Sequence, residues 1–390
     1  MRLNHQAFSL LCMGLGAIIT IPSTAGETSD SKPKLSGYAI AQYQASTKQD
    51  DETNSFDVRM VRIALAGHFA GEFEYKVQAQ LNGNTATLGS SPRIVDAYAE
   101  WQRHSFLKVK AGQFKRPFSF ENPMHPIDQG FMGYSQNISK LAGFNDRVGE
   151  YASNGRDIGV QLQGDFLKNA QGRNLLHYQV GVFNGQGINT KDVDNRKDVL
   201  GGIWVMPVRG MRIGAFGWTG SYARKGTWSD DEHGNQVIVG EKEGKTEYAT
   251  YSGVRRLSQN RYAFSFEYKA DDWTFRSEYI HSTGYAFKTT YQTKADLKDC
   301  AINSSLGNKA DGLYALCIAP IIKGRLATKA RYDLYRPSAD WATSRTQYEI
   351  GLNYTVVKNI ELHAEYALIN DRALSHPNYS ITDLQLSVRF

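Results

Sequence analysis

From about residue 35 to the C-terminus, apolar and polar side chains alternate in segments of about 10 to 13 residues. Phe73, Tyr75, Val77, Ala79 and Leu81 fall on one face of such a segment, and Glu74, Lys76, Gln78, Gln80 and Asn82 on the other. Tyr262, Phe264, Phe266 and Tyr268 oppose Arg261, Ser265, Glu267 and Lys269 in the same way, and Ile360, Leu362, Ala364, Tyr366 and Leu368 oppose Glu361, His363 and Glu365. A period of two is the repeat of extended backbone, whereas a helix returns to its face every three or four residues. The pattern predicts sixteen strands, at 35–46, 56–69, 71–82, 93–103, 105–116, 156–166, 174–184, 198–208, 211–222, 260–270, 272–283, 311–322, 324–336, 345–356, 360–371 and 380–390. In two of them, 198–208 and 311–322, the faces differ little in polarity.

The connections alternate in length. Ala70-Gly71, Arg209-Gly210, Ala270-Asp271-Asp272, Lys323-Gly324 and Val357-Lys358-Asn359 are tight, whereas 117–155, 225–259 and 284–310 are long and polar. Short turns at one end and long loops at the other are the asymmetry of a transmembrane antiparallel β-barrel of the outer membrane, and the even strand number agrees. A barrel of this size leaves an aqueous lumen. The last strand places Leu384, Leu386, Val388 and the terminal Phe390 on one face, which resembles the signature by which outer-membrane barrels are recognised for insertion.

Residues 1–25 read differently. Arg2 and His5 precede an apolar stretch from Ala7 to Pro22, and Ser23-Thr24-Ala25 supplies the small residues of a cleavage site, so a signal peptide cut after Ala25 is expected. Residues 26–34 are polar and expected to be mobile, and 35–390 form a single barrel domain. Cys12 leaves with the signal, and an exported chain leaves Cys300 and Cys317 able to pair or to stay free. The composition, 41% hydrophobic and 22% charged, excludes a disordered tail protein, and the lack of further long apolar runs excludes a helical membrane bundle. A soluble β-sandwich also alternates. At this length it would need two or more domains, yet no Pro-, Gly- or Ser-rich linker divides the chain.

The stretch Gly112-Gln113-Phe114-Lys115-Arg116-Pro117-Phe118-Ser119-Phe120-Glu121, preceded by Ala97-Tyr98-Ala99-Glu100-Trp101, resembles the phosphate-selective porin O and P family. The basic strand from Phe56 to Gly67, Asn154-Gly155-Arg156-Asp157-Ile158-Gly159-Val160, and Gly181-Val182-Phe183-Asn184-Gly185 followed by Lys197-Asp198 fit the same pattern. The resemblance runs from about residue 35 to the end. It implies a sixteen-stranded barrel, a homotrimer, a third extracellular loop (117–155) folded into the lumen as a constriction, and basic side chains guiding anions, phosphate first among them. The chain departs from the family in one strand: instead of an arginine cluster it has Arg59-Met60-Val61-Arg62.

A channel selects by pore size and by the field at its narrowest point, and rings of Lys or Arg favour anions. The two-residue period turns Arg62, Lys76, Lys108, Lys110, Arg276 and Lys329 inward, with Lys108 and Lys110 the plainest pair between Leu107, Val109 and Ala111. Lys115, Arg116, Lys140 and Arg147 of the loop are candidates for the constriction, and its acids Glu121, Asp128, Asp146 and Glu150 are placed either to pair with them or to brace the loop. Glu74, Asp96, Glu100, Asp157, Asp165, Glu267, Glu278, Glu349, Glu361 and Glu365 also turn inward, so a mixed lumen with opposed basic and acidic rows is expected.

These features predict a passive outer-membrane channel for small hydrophilic solutes, anion-preferring, with lipid and small anions as partners, no cofactor, no nucleic acid and no catalytic residues. Two other classes compete with this reading. A barrel-embedded hydrolase would need a nucleophile beside His177, His281 or His363, and Gly-x-Ser-x-Gly is absent. A surface receptor or adhesin would use loops such as 225–259, whose Asp230-Asp231-Glu232-His233 run has no specific metal-ligand spacing.

Overall fold

The structure, a computed structural model, describes residues 32–82, 92–143, 154–288 and 298–390. The expected signal segment 1–25, most of 26–34, and Arg147 lie outside the described residues. The strands are β1 (Lys34–Ser46), β2 (Thr53–Phe69), β3 (Phe73–Gln80), β4 (Arg93–His104), β5 (Leu107–Lys115), β6 (Arg156–Lys168), β7 (Asn174–Phe183), β8 (Asp198–Val205), β9 (Met211–Trp228), β10 (Ile238–Lys242), β11 (Lys245–Tyr248), β12 (Tyr251–Ala270), β13 (Trp273–Thr283), β14 (Lys309–Ile322), β15 (Leu326–Arg336), β16 (Arg345–Val357), β17 (Ile360–Asp371) and β18 (Asn378–Arg389). All except β10 and β11 form one closed antiparallel barrel in which each strand pairs with its neighbours along the chain. Closure joins β1 to β18, with Tyr38 opposite Arg389 and Ser46 opposite Ile381. No backbone edge is left to face lipid.

Each of the sixteen predicted strands has its counterpart in this barrel. The stretch 225–259 is different from expectation, because β9 runs on to Trp228 and β12 begins at Tyr251. The two pair continuously from Tyr251 opposite Trp228 to Tyr268 opposite Met211, with the β10–β11 hairpin between them. Above the barrel this ribbon meets other loop residues. Tyr222, Leu257, Phe287, Cys300 and Ile302 form a small core, and Arg255 donates to Asp230 Oδ1 (2.6 Å) and to the Cys300 carbonyl (2.7 Å). Its side chains therefore carry no apolar lipid face, the signal that marks the strands below.

On the barrel wall the outward face is apolar and exposed, as at Phe264, Ile350, Leu352 and Leu368. The inward face is polar except where a loop covers it. The segment after β5 turns into the lumen and carries a short helix, α1 (Gln136–Leu141). Its Phe118, Phe120, Phe131, Ile138 and Leu141 pack on inward residues Phe216, Trp218, Tyr314 and Leu316. Each fully buried side chain of this size is worth about 1.5–3 kcal/mol, so the contact is strong enough to hold the loop in place.

Cys300 and Cys317, which the sequence leaves able to pair or to stay free, are both free thiols in the structure. Cys300 sits at the long-loop end, where its amide donates to the Thr227 carbonyl. Cys317 opposes Phe275 on β13 and Ala330 on β15. At about 3.3 Å per residue it lies roughly 26 Å along β14 from that rim, whereas bonded cysteines need Cα atoms within about 7 Å.

Candidate functional site

The loop is seated by wall side chains that satisfy its backbone. Glu278 on β13 accepts the N–H groups of Phe120 and Glu121, both at 2.8 Å. Asp333 on β15 accepts from the Gln136 amide (2.8 Å), and Glu365 on β17 from the Met132 amide (2.7 Å). Cations of the same side meet loop carbonyls: Lys329 donates to Gly130, Arg331 to Gly133 and Arg261 to Leu141. Irregular backbone at membrane depth requires this kind of pairing. It also commits Glu278, Asp333 and Glu365 to the loop. Lys329 is further bound to Glu365, and Arg331 to Glu349.

Behind the loop, Arg116 and Asp157 form an ion pair at 3.0 Å with neither side chain exposed. Arg116, expected at the constriction, is thereby placed at the loop's root instead of its free edge. Lys115 donates to the Asn122 carbonyl (2.8 Å) and the Tyr134 hydroxyl (3.1 Å), and Lys140 is partly exposed on α1. Arg276 belongs to the wall, joined to Glu267 at 2.8 Å.

One stretch of open space lies against the opposite wall, from β3 to β9. Two neighbouring cavities of about 180 and 320 Å³ share Pro123, Gln163 and Gln179 in their walls. The first brings Lys76, Lys110 and Lys115 together with Asp96 and Tyr98. The second is lined by Phe120, Met124, His177, Trp204 and Arg212. Lys110 pairs with Glu100 at 3.2 Å, Lys76 with Asp96 at 3.6 Å and Lys108 with Asp165 at 3.9 Å. Asp96 serves a second cation, Arg156, at 2.5 Å. Arg62, almost fully buried, is held by the Gln80 side-chain carbonyl and the Tyr38 hydroxyl, and no described carboxylate forms an ion pair with it. His125 of the loop places Nε2 3.3 Å from the Lys76 ammonium. Burial, and then the Lys76 charge, hold its imidazole down at about 3, so it is neutral near pH 7.

One inward cation was invisible to the two-residue period. Counting from Arg62 would send Arg59 outward, yet Ile40 faces Met60 while Ala41 faces Val58, which leaves Arg59 as the extra residue of a β-bulge. The bulge turns Arg59 into the barrel, where it donates to Gln385 Oε1 (2.9 Å) and to the Met132 carbonyl. There it lines a polar cavity of about 480 Å³ with Gln42, Gln44, Asp57 and Asp383. Nothing in the residue types marks the bulge; only the register does.

The model of the family described as phosphate-selective porin O and P matches residues 37–317. The chain belongs to that family. No curated relative matches this porin in sequence. Among solved structures, the anion-selective porin from Comamonas acidovorans superposes with a TM-score of 0.58 at 13% identity, covering 92% of this chain and 98% of that one. Salmonella typhi OmpF in complex with daunomycin gives 0.61 at 12% identity, with coverage of 92% and 98%. The trimer form of Vibrio cholerae OmpT gives 0.56 at 9% identity, with coverage of 92% and 99%. At these identities the shared property is the sixteen-stranded porin barrel. The porin is thus an outer-membrane channel, with its short turns on the periplasmic side and its long loops outside.

The residues that a hydrolase or a surface receptor would use have different partners here. The His177 ring takes Asp165 on Nδ1 (2.8 Å) and stacks on Trp204, while His363 meets Asn353 at 2.8 Å. Asp230, first of the acidic run, is bound by Arg255 and the Ile302 amide.

Proposed function

We propose that this porin is a passive diffusion channel for small hydrophilic solutes with a preference for anions, exported by the signal at 1–25 and assembled as a homotrimer. The observation that carries the preference is the division of the lumen by the loop. Glu278 on β13, Asp333 on β15 and Glu365 on β17 are committed to loop amides, while the open region along β3 to β9 carries Lys76, Lys108, Lys110 and Arg212, each beside a carboxylate. Asp96 is shared between two cations, and Arg62 adds a charge with no carboxylate paired to it among the described residues. An excess of positive charge beside a restricted aqueous path raises the local anion concentration. Phosphate is the first inorganic candidate. The trimer reading draws on the shared barrel and on the trimer form of the Vibrio OmpT protein.

The test is the zero-current potential of the reconstituted porin in a potassium chloride gradient. Lys108→Glu with Lys110→Glu should reverse or abolish the anion preference, and an unchanged potential defeats this assignment. Phosphate titrated into chloride then distinguishes a specific phosphate site, which blocks at low concentration, from a general pore.

A further inference from the structure

The second cavity has a lining that inorganic anions do not need. Its wall from β7 and β8 offers the His177 and Trp204 rings, stacked with centroids 4.0 Å apart. From the loop come Pro123, Met124 and Phe120, whose ring meets Trp204 edge-on at 5.6 Å. Apolar surface of this kind, placed on the inner side of a conducting barrel, repels the hydration shell of phosphate or chloride. It gives a planar unsaturated ring an apolar place to rest.

Cations stand beside these rings. The Arg212 guanidinium lies 4.0 Å from the centroid of Phe120, and its position is held by Glu267 at 2.9 Å. Across Gln163 and Gln179, which border both cavities, Lys110 sits 4.6 Å from the Tyr98 ring. A solute crossing between the cavities therefore meets an aromatic platform with a positive group at each side. Both cations already have carboxylate partners, which limits how tightly an anion is held and lets it leave again.

We infer that these adjoining cavities form a transit subsite for aromatic carboxylates, with the ring against Trp204, Met124 and Pro123 and the carboxylate directed to Arg212 or Lys110. The inference rests on the channel reading and names the class of organic anion that such a path would favour. Trp204 and Met124 are its specificity-determining residues, from different elements, and Arg212 supplies a carboxylate contact.

The test uses the full-length porin in planar bilayers under potassium chloride, with benzoate, cyclohexanecarboxylate, acetate and inorganic phosphate added separately. Benzoate should reduce chloride conductance at about one tenth of the concentration that acetate needs, the size expected when one aromatic contact is added. Trp204→Leu and Met124→Ser should each move the benzoate curve toward that of acetate, and Arg212→Gln should weaken both acids. Superposed benzoate and acetate curves overturn the subsite. Cyclohexanecarboxylate as potent as benzoate overturns its aromatic character. Calorimetric titration of benzoate into the detergent-solubilised porin judges the subsite separately from conduction. Binding without any conductance would sink the channel reading alone, whereas conductance without benzoate binding would sink the subsite alone. Heat-resistant migration of each variant on gels shows that its barrel has assembled; should Trp204→Leu fail to assemble, Met124→Ser on the loop carries the comparison.

Discussion

Arg116 and Asp157 meet at 3.0 Å where the inward-folded loop leaves the barrel wall, both fully withdrawn from solvent. Asp157 also accepts the Gly185 amide at 2.9 Å, so one carboxylate ties the loop's root to the next extracellular connection. Removing one member of a buried pair strands the other charge, at a cost of about 3–5 kcal/mol. Arg116→Met is therefore expected to lower resistance to urea unfolding in detergent by that order. Arg116→Met with Asp157→Leu should recover part of the loss. A single variant as stable as the parent would show that the pair contributes nothing.

Much of this architecture was legible because lipid and water impose opposite demands on successive residues, as Phe73 to Asn82 displays. The two segments with similar faces, 198–208 and 311–322, have a physical explanation. Leu200 and Trp204 on β8, and Tyr314, Leu316 and Ile318 on β14, turn inward against or beside the aromatic core of the loop, so their inner faces are apolar too. The seat of the loop itself was not legible, because it depends on pairs such as Glu278 with Phe120, separated by 158 residues. Arg59 escaped for a different reason: a bulge changes parity without changing composition.

Gly214 faces inward at the point where Phe120 comes closest to the wall. A Cβ there would lie 2.9 Å from Phe120 Cζ and 3.0 Å from Trp204 Cβ. The ring cannot retreat freely, since it also contacts Phe216 edge-on at 5.5 Å. Gly214→Ala should displace Phe120 and reduce stability by about 1–3 kcal/mol, the usual cost of overpacking. Urea unfolding and single-channel conductance report the two effects. Parent-like values for both would mean that the loop yields without resistance.

The bulge at Arg59 permits a cleaner substitution pair. Deleting Arg59 leaves Met60 opposite Ile40 and Val58 opposite Ala41, so regular pairing resumes and the barrel should still close. Arg59→Gln keeps the bulge and removes only the charge. Both should decrease the anion preference in a salt gradient, and to a similar extent. If the deletion prevents assembly while Arg59→Gln is silent, the bulge serves the fold and not the permeant.

Free Cys300 and Cys317 lead to a direct check. The purified porin should migrate identically on denaturing gels with and without reductant. Denaturation should also make both thiols available to a maleimide. A mobility difference confined to the non-reduced monomer would indicate a cross-link that this barrel geometry does not allow.

His125 makes the seated loop sensitive to acid in one direction. Burial, followed by the Lys76 ammonium, lowers its imidazole from the ordinary 6.5 to about 3. A loop released into water would bind a proton near 6.5, whereas the seated loop would not until about 3. The released state therefore gains relative stability as pH falls through this window, and above about 7 the balance no longer changes through His125. The informative quantity is the difference between the parent and His125→Asn, which has no proton to take. Gating frequency in bilayers should be the same for both proteins at pH 8 and diverge below pH 6, with the parent opening its loop more often. Parallel curves from pH 8 to 4 would show that His125 stays accessible to protons in the seated loop.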